Sequence, residues 1–282
     1  MQKIELDGLP KYSPWVARLL NIVPFQKPVR TIAKIDAEYD KDKYAKLLQF
    51  YEQNPDIDVE ELRGVEEDFL PPEKELCVSK GNELFLISAA TAQRLARQTL
   101  LDSLLPYVTE SRVVIELGCG YGYNLGVLRE VEPDHLFIGG DYSQNAVSLA
   151  RKLFSDRPEV TVAPFNFYDE TWSIFDAVEE RGLVFTNHAI EQLPSVKSVL
   201  STFNKYRQKI ACVIHLEPVF EFNDPNTTFG LMRRSYILTN DYNKDLFTCL
   251  KEMGVKILKA ENDLFGPNPL NPTSLIVWQF QH

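Results

Sequence analysis

Apolar and polar positions alternate along this chain with two different periods. From Arg112 onward, short runs rich in β-branched and other apolar residues, "VVIEL", "LFIGG", "VTVAP", "LVFTN" and "IACVIHL", read as strands. Between them, "NLGVLREV", "NAVSLARKLF" and "VKSVLSTFNKYRQ" repeat their apolar residues at helical spacing. Strand and helix in alternation predict a parallel sheet with helices on both faces. Further on, "KDLFTCLKEMG" predicts a helix closed by Gly254, and "VKILKAE" and "TSLIVWQF" predict two last strands joined through the cluster "GPNPLNP". The chain before Arg112 has another pattern. Pro10, Pro14, Pro24 and Pro28 divide its first part into short pieces; residues 35–53 and the stretch "ISAATAQRLARQTLLDSLLPYV", stopped by Pro106, then carry helical periodicity. The predicted fold class is therefore α/β, a seven-stranded, mostly parallel sheet over 108–282 preceded by a mainly helical cap over 1–107. An Asn-, Asp-, Pro- and Thr-rich stretch at 217–245 reads as an insertion.

Composition narrows the partners. Forty acidic and thirty basic residues give a net charge of −10, which leaves no basic surplus to neutralise a phosphate backbone, so nucleic acid is not an expected partner. Cys77, Cys119, Cys212 and Cys249 show no CxxC spacing, which points away from a structural zinc or a disulfide framework and toward a reducing compartment, the cytoplasm by default. The most apolar N-terminal stretch, "WVARLLNIVPF", is broken by Arg18 and Asn21 and ends at Pro24, so neither a signal segment nor a membrane span is expected. A homodimer is compatible with all of this.

The chemistry-bearing stretch is "VVIELGCGYGYNLGVLRE". It runs from a strand through closely spaced glycines into an amphipathic helix, where free amides and close backbone approach make a ligand turn. The dinucleotide fingerprint GxGxxG is missed by one residue: after Gly118 and Gly120 the third glycine comes early, at Gly122, with Tyr123 where a glycine is required. Glu116, two residues before the first glycine at the end of a buried strand, needs a cation or several donors to be tolerated there. A carboxylate beside such a turn suits a cationic adenosine ligand without a pyrophosphate.

With Glu116, Gly118, Gly120 and Gly122 standing as ExGxGxG, the segment from about Ser111 to the C-terminus resembles the class I S-adenosylmethionine-dependent methyltransferases, which are Rossmann-like. The resemblance implies S-adenosylmethionine as cofactor, with the glycine loop under its amino acid part and Glu116 near its ammonium. It also implies that Asp141, closing "FIGGD", holds the ribose hydroxyls, that Tyr142 covers the adenine, and that Asn166 with Phe167 meets the adenine amine, Asp169 being the other candidate for that role. Read from the residues alone, Asp141 is equally a helix N-cap. In "TNHAIEQLP" the resemblance brings Asn187 to the methionine moiety and His188 and Glu191 to the acceptor. At i, i+3 spacing these two share one face, the alternatives being a His188 that only packs and a Glu191 that only caps. His188 is the first candidate for a general base and His215 the second, because imidazole titrates near neutrality. His215, Glu217, Glu221 and Asp224 together with His188 and Glu191 would suffice for a divalent ion, but acidic loop residues are ordinarily solvated and no metal is assigned. Tyr12, Trp15, Phe25, Tyr39 and Tyr44 are core residues or pocket walls, and Arg233 and Arg234 either hold an acidic substrate or are simply exposed. The expected function is methyl transfer to an oxygen or nitrogen of a small molecule, a sugar or another natural-product intermediate. A protein or peptide methyltransferase and a non-catalytic adenosine-ligand module are the alternatives.

Overall fold

A computed structural model describes residues 1–25, 30–67 and 70–281; Pro28 lies outside them. The strands in chain order are β1 (Gln2–Ile4), β2 (Glu75–Lys80), β3 (Glu83–Ser88), β4 (Val113–Leu117), β5 (Leu136–Asp141), β6 (Val160–Pro164), β7 (Gly182–Asn187), β8 (Ile210–Glu217), β9 (Lys256–Phe265) and β10 (Thr273–Gln279). Seven of them form one sheet in the order β6-β5-β4-β7-β8-β10-β9. The first five of that order run parallel, and β10 lies antiparallel to both β8 and β9. This is the Rossmann-like α/β sheet expected from the pattern. The strand order reverses between β4 and β7, and the crevice beyond their carboxyl ends is where an open α/β sheet accepts a ligand.

Side-chain alternation fills both faces. β4 sends Val113, Ile115 and Leu117 into one cluster with Trp172, Phe175, Phe203 and Trp278, and Val114 into the other with Leu125, Phe137, Phe185 and Ile214. The second cluster includes Leu100, Leu104 and Val108, so the helix Ala89–Val108 is part of the cover of the sheet even though its residues precede the first parallel strand. Pro106 does not stop that helix: it sits in the last turn, and the chain stays helical to Val108. Ser88, rather than a helical residue, is the N-cap, its hydroxyl accepting from the Thr91 amide.

The N-terminal zone is helical over Ile32–Ile35, Asp36–Tyr44 and Ala45–Gln53, the middle segment being wound as a π-helix. It also contains a small antiparallel sheet, β1-β3-β2, that helical periodicity did not reveal. Gly81 and Asn82, with φ of 60° and 65°, make the two-residue turn between β2 and β3. The stretch read as an insertion contains the twelve-residue helix Thr228–Thr239, whose Tyr236 and Ile237 pack with Leu9, Cys77, Leu84 and Leu86 from this small sheet and its neighbours. Insertion and cap thus share one hydrophobic cluster. Among the described residues no helix is long and apolar enough to cross a membrane.

Candidate functional site

The glycine turn leaves β4 and is laid across the end of β5, where the amides of Gly118 and Cys119 donate to the Gly140 carbonyl at 2.7 and 3.1 Å. Gly120 has φ +55°, and a Cβ placed on it would stand 2.5 Å from the Tyr44 hydroxyl oxygen. A side chain there is thus opposed twice, by the left-handed backbone and by the aromatic roof that the N-terminal helix lowers onto the turn. Gly122, also in the left-handed region, is the N-cap of the helix Tyr123–Val131.

Two carboxylates flank the turn. Glu116, with no exposure, accepts from the Asn124 amide through Oε1 at 2.6 Å, and its Oε2 is buried without a hydrogen-bond partner. Burial pushes its pKa up to about 8, with the Asn124 hydrogen bond opposing the shift and the nearby Asp141 charge adding to it. Asp141 closes β5. Its Oδ2 accepts from the Gly120 amide at 2.7 Å and its Oδ1 from the Ser143 amide at 2.8 Å. Burial raises its pKa in spite of those two amides. The helix Gln144–Leu153 is capped by Ser143, whose hydroxyl accepts from the Ala146 amide at 3.0 Å, so Asp141 is not its N-cap.

Asp141, Tyr142, Asn166 and Phe167 line one cavity of about 140 Å³ together with Gly118, Tyr39 and Tyr44. Asp169 is not among the residues lining it. Glu116, Gly120, Asn124, Asn187 and Glu191 line a second, more polar cavity of about 630 Å³. On its far wall Glu66 pairs with Lys43 at 2.5 Å and with Arg63 at 2.6 Å, and accepts from the Tyr121 hydroxyl at 2.9 Å. Burial works against the Glu66 charge, but the two cations outweigh it and hold its pKa below the ordinary carboxylate value.

The loop after β7 is braced from below. Glu217, at the end of β8 and 1% exposed, accepts from the amides of Ala189, Ile190 and Glu191 at 3.0, 3.1 and 3.2 Å. Burial raises its pKa to about 7, with the His188 charge opposing the shift. On this braced turn His188 has φ 51°, and the two residues expected on one face do meet: its Nδ1 lies 3.1 Å from Glu191 Oε2. Nε2 lies 2.8 Å from the Thr273 hydroxyl. Burial opposes the imidazolium, but the carboxylates of Glu191 and Glu217 outweigh it and raise the His188 pKa above its ordinary value. Glu191 does not cap a helix: it accepts from the side-chain amides of Gln192 at 2.9 Å and Asn271 at 3.0 Å.

The structure does not bring the other candidates to the site. His215 has no exposure and packs between Phe203 and Trp278 with Nδ1 at 2.9 Å from the Thr186 hydroxyl. Burial lowers its pKa to about 3, and it lines none of the cavities described here, so it is a core residue rather than a second base. Glu221 accepts from the Thr248 amide at 2.9 Å and Asp224 from the Asn226 amide at 2.9 Å. Among the described residues no group of three or more His, Cys, Asp or Glu is arranged to hold a metal ion. Arg233 is neither exposed nor free for a substrate: it is 1% exposed and bonds Asp263 at 2.7 Å, the Pro269 carbonyl at 2.8 Å and Asn82 at 2.7 Å. Arg234 donates to the Asn223 carbonyl and lies over the Phe220 ring. Trp15 and Phe25 pack edge to face with each other in the cluster around Tyr236, and the Tyr12 hydroxyl donates to Glu75. Sequence reasoning missed Asn124, Asn271 and Thr273. Only Asn124 carried a usable signal, being the second residue of the helix that follows the glycines.

No protein-family model and no curated protein matches the chain. Among solved structures, human N-acetylserotonin methyltransferase in complex with SAM is 11% identical with a TM-score of 0.48 over 66% of this chain and 52% of its own. The pyocyanin biosynthetic protein PhzM is 18% identical with a TM-score of 0.49 over 68% and 56%. The methyltransferase domain of bacterial CtHen1-C is 18% identical with a TM-score of 0.44 over 67% and 100%. The matched region thus spans little more than half of the first two proteins. Likenesses of this size carry no argument about activity, which rests on the chain's own residues.

Proposed function

We propose that this protein is an S-adenosylmethionine-dependent methyltransferase acting on a hydroxyl group of a small molecule. The observation that carries the proposal is Glu116 Oε2, a buried carboxylate oxygen left without a donor at the wall of a cavity beside a glycine turn. Burying such a group is unfavourable unless a donor or a cation reaches it, and the ammonium of an amino acid moiety is both. The other donors and acceptors fit the same ligand. Asp141 would accept from ribose hydroxyls, Phe167 and Tyr142 would sandwich a base whose edge meets Asn166, and Gln192, whose Oε1 is also buried without a partner, lines the same cavity as Asp141. A pyrophosphate is disfavoured because the Gly120 amide is already given to Asp141 and the flanking groups are carboxylates.

When bound, the sulfonium supplies an electrophilic methyl group: an oxygen–carbon bond forms, the carbon–sulfur bond breaks, and a neutral thioether is left. The chain has to orient the acceptor, exclude water and take a proton. Asn187 and His188 stand at the end of β7 on the wall of the larger cavity, His188 also lining the smaller one, and His188 with Glu191 supplies the proton acceptor. Calorimetry with S-adenosylmethionine, S-adenosylhomocysteine and NADH tests the reading. The sulfonium and thioether ligands bind, NADH does not, and Glu116→Gln weakens both sulfur ligands at least tenfold. Preferential binding of NADH, or equal binding by the Glu116→Gln protein, overturns it.

A further inference from the structure

His188 borders three cavities. Besides the two already described, it opens onto a third, of about 300 Å³, between the ends of β7, β8 and β10 and the helix Ala89–Val108. This third space has an apolar body, made by Ala96, Leu100, Leu216, Phe265 and Pro267. Its polar rim contains Thr99, Asn187, Asn268, Asn271 and Thr273 together with Arg63, whose charge is already paired with Glu66 and Glu67, and Asn271 Oδ1 is a buried oxygen with no hydrogen-bond partner although the same side chain donates to Glu191. An unpartnered acceptor at the edge of this chamber is satisfied by a ligand that brings an O–H or N–H donor besides the hydroxyl that reacts.

Both nitrogens of His188 are already engaged, Nδ1 with Glu191 and Nε2 with the Thr273 hydroxyl. A substrate oxygen therefore cannot reach the imidazole directly without displacing one of these partners. Neutral imidazole with its proton on Nδ1 donates to Glu191 and accepts the Thr273 proton on Nε2, which leaves the lone pairs of Thr273 Oγ1 free toward the chamber.

We propose, resting on the methyl-transfer reading, that the 300 Å³ chamber receives an uncharged, apolar-bodied hydroxyl compound and that Thr273 relays the acceptor's proton to His188. The acceptor O–H proton passes to Thr273 Oγ1 as the Thr273 proton passes to His188 Nε2, and the freed oxygen takes the methyl group. One positive charge disappears from the sulfonium and one appears on the imidazole, where Glu191 on the same turn and Glu217 from β8 stabilise it and Arg63 from the helix Val59–Glu66 opposes it. Thr273 is thus a group in contact with substrate, and Glu191 a positioning residue that fixes the tautomer.

Nitrogen-15 spectra of the four histidines report the relay without turnover. In the free protein and in its complex with S-adenosylhomocysteine, neutral His188 carries its proton on Nδ1, and phenol shifts its Nε2 resonance whereas toluene, the same shape without the hydroxyl, does not. Thr273→Val, of nearly the same volume, keeps the melting temperature, loses the phenol response and weakens phenol about tenfold, the worth of one hydrogen bond; Thr273→Ser restores both. A wild-type protein in which phenol leaves His188 untouched, or a valine variant that responds as wild type does, overturns the relay. The two readings fail separately: absence of binding by either sulfur ligand defeats methyl transfer while the phenol response still reports on Thr273, and ligand binding without a phenol response defeats the relay alone.

Discussion

Gly120 and Glu116 illustrate what a single residue contributes to this site. Gly120→Val places a branched side chain at φ +55° against Tyr44, so it should both abolish binding of S-adenosylmethionine and lower stability by about 1–3 kcal/mol, read by calorimetry and denaturant unfolding. A variant that keeps wild-type affinity would show that the ligand does not lie against the turn. Glu116 adds a pH signature. Its folded pKa, near 8, lies above that of an exposed glutamate, so the folded protein holds this proton over an interval in which the unfolded chain has released it. Stability of the ligand-free protein should therefore be greatest below about pH 4.3 as far as this group is concerned and fall as pH rises toward 8, by on the order of a few kcal/mol. Glu217, near 7, acts in the same direction. In Glu116→Gln the decline between pH 5 and 8 should be visibly shallower in melting curves; an unchanged slope would mean that Glu116 is already ionised in the folded protein. The buried position of Glu116 was legible in the sequence because a carboxylate in an apolar strand is conspicuous. Thr273 was not, because a threonine opening a strand is ordinary and its meaning comes only from His188 lying 85 residues away in the chain.

Among the elements, the strands of the large sheet could be read because they are bounded by turn residues and three amphipathic helices, Tyr123–Val131, Gln144–Leu153 and Lys197–Lys205, alternate with the parallel ones. The hairpin β2-β3 was harder to read: "ELCVSKGNELFLIS" joins directly to a helix, and its apolar residues merge with that helix's own period. Its Gly-Asn turn was the available signal. From the sequence Arg233, beside Arg234, is a holder of an acidic substrate or an exposed residue, yet the helix Thr228–Thr239 turns it inward to Asp263 on β9, Asn82 in the hairpin turn and the Pro269 carbonyl. This one guanidinium thus joins the insertion, the cap and the sheet. Arg233→Ala leaves Asp263 buried without its cation and should destabilise the protein by about 3–5 kcal/mol. Equilibrium unfolding in urea measures it, and a loss below 1 kcal/mol would show that water replaces the guanidinium. Replacing both partners by apolar residues should recover much of the loss, since no charge is then left unpaired.

For the whole molecule, the floor and roof of the site are built differently. The floor is the sheet, with its loops tied by Gly140, Asp141 and Glu217. The roof is the helix that brings Tyr39 and Tyr44 over the glycine turn, and it is held where Asp40 Oδ1 accepts from the Ser143 hydroxyl and the Asn145 amide while the Asp40 carbonyl accepts from the Asn145 side chain. Asp40→Ala should raise amide exchange across residues 36–53 and weaken cofactor binding by about 1–3 kcal/mol while leaving exchange in β4, β5 and β7 unchanged; uniform exchange would place the anchor elsewhere. The winding of that roof sets a limit on length. Over Asp36–Tyr44 each amide reaches back five residues, so Tyr39 and Tyr44 come round to the same side, with ring centroids 6.5 Å apart. In an ordinary α-helix the neighbours of Tyr39 would be Asp42 and Lys43, and Tyr44 would swing aside. The segment therefore behaves like a spliced-in link: regular α winding at the present length would rotate one tyrosine out of the binding site, and only excising one of the residues between Tyr39 and Tyr44 would let the coil relax to that winding with both rings still on one side.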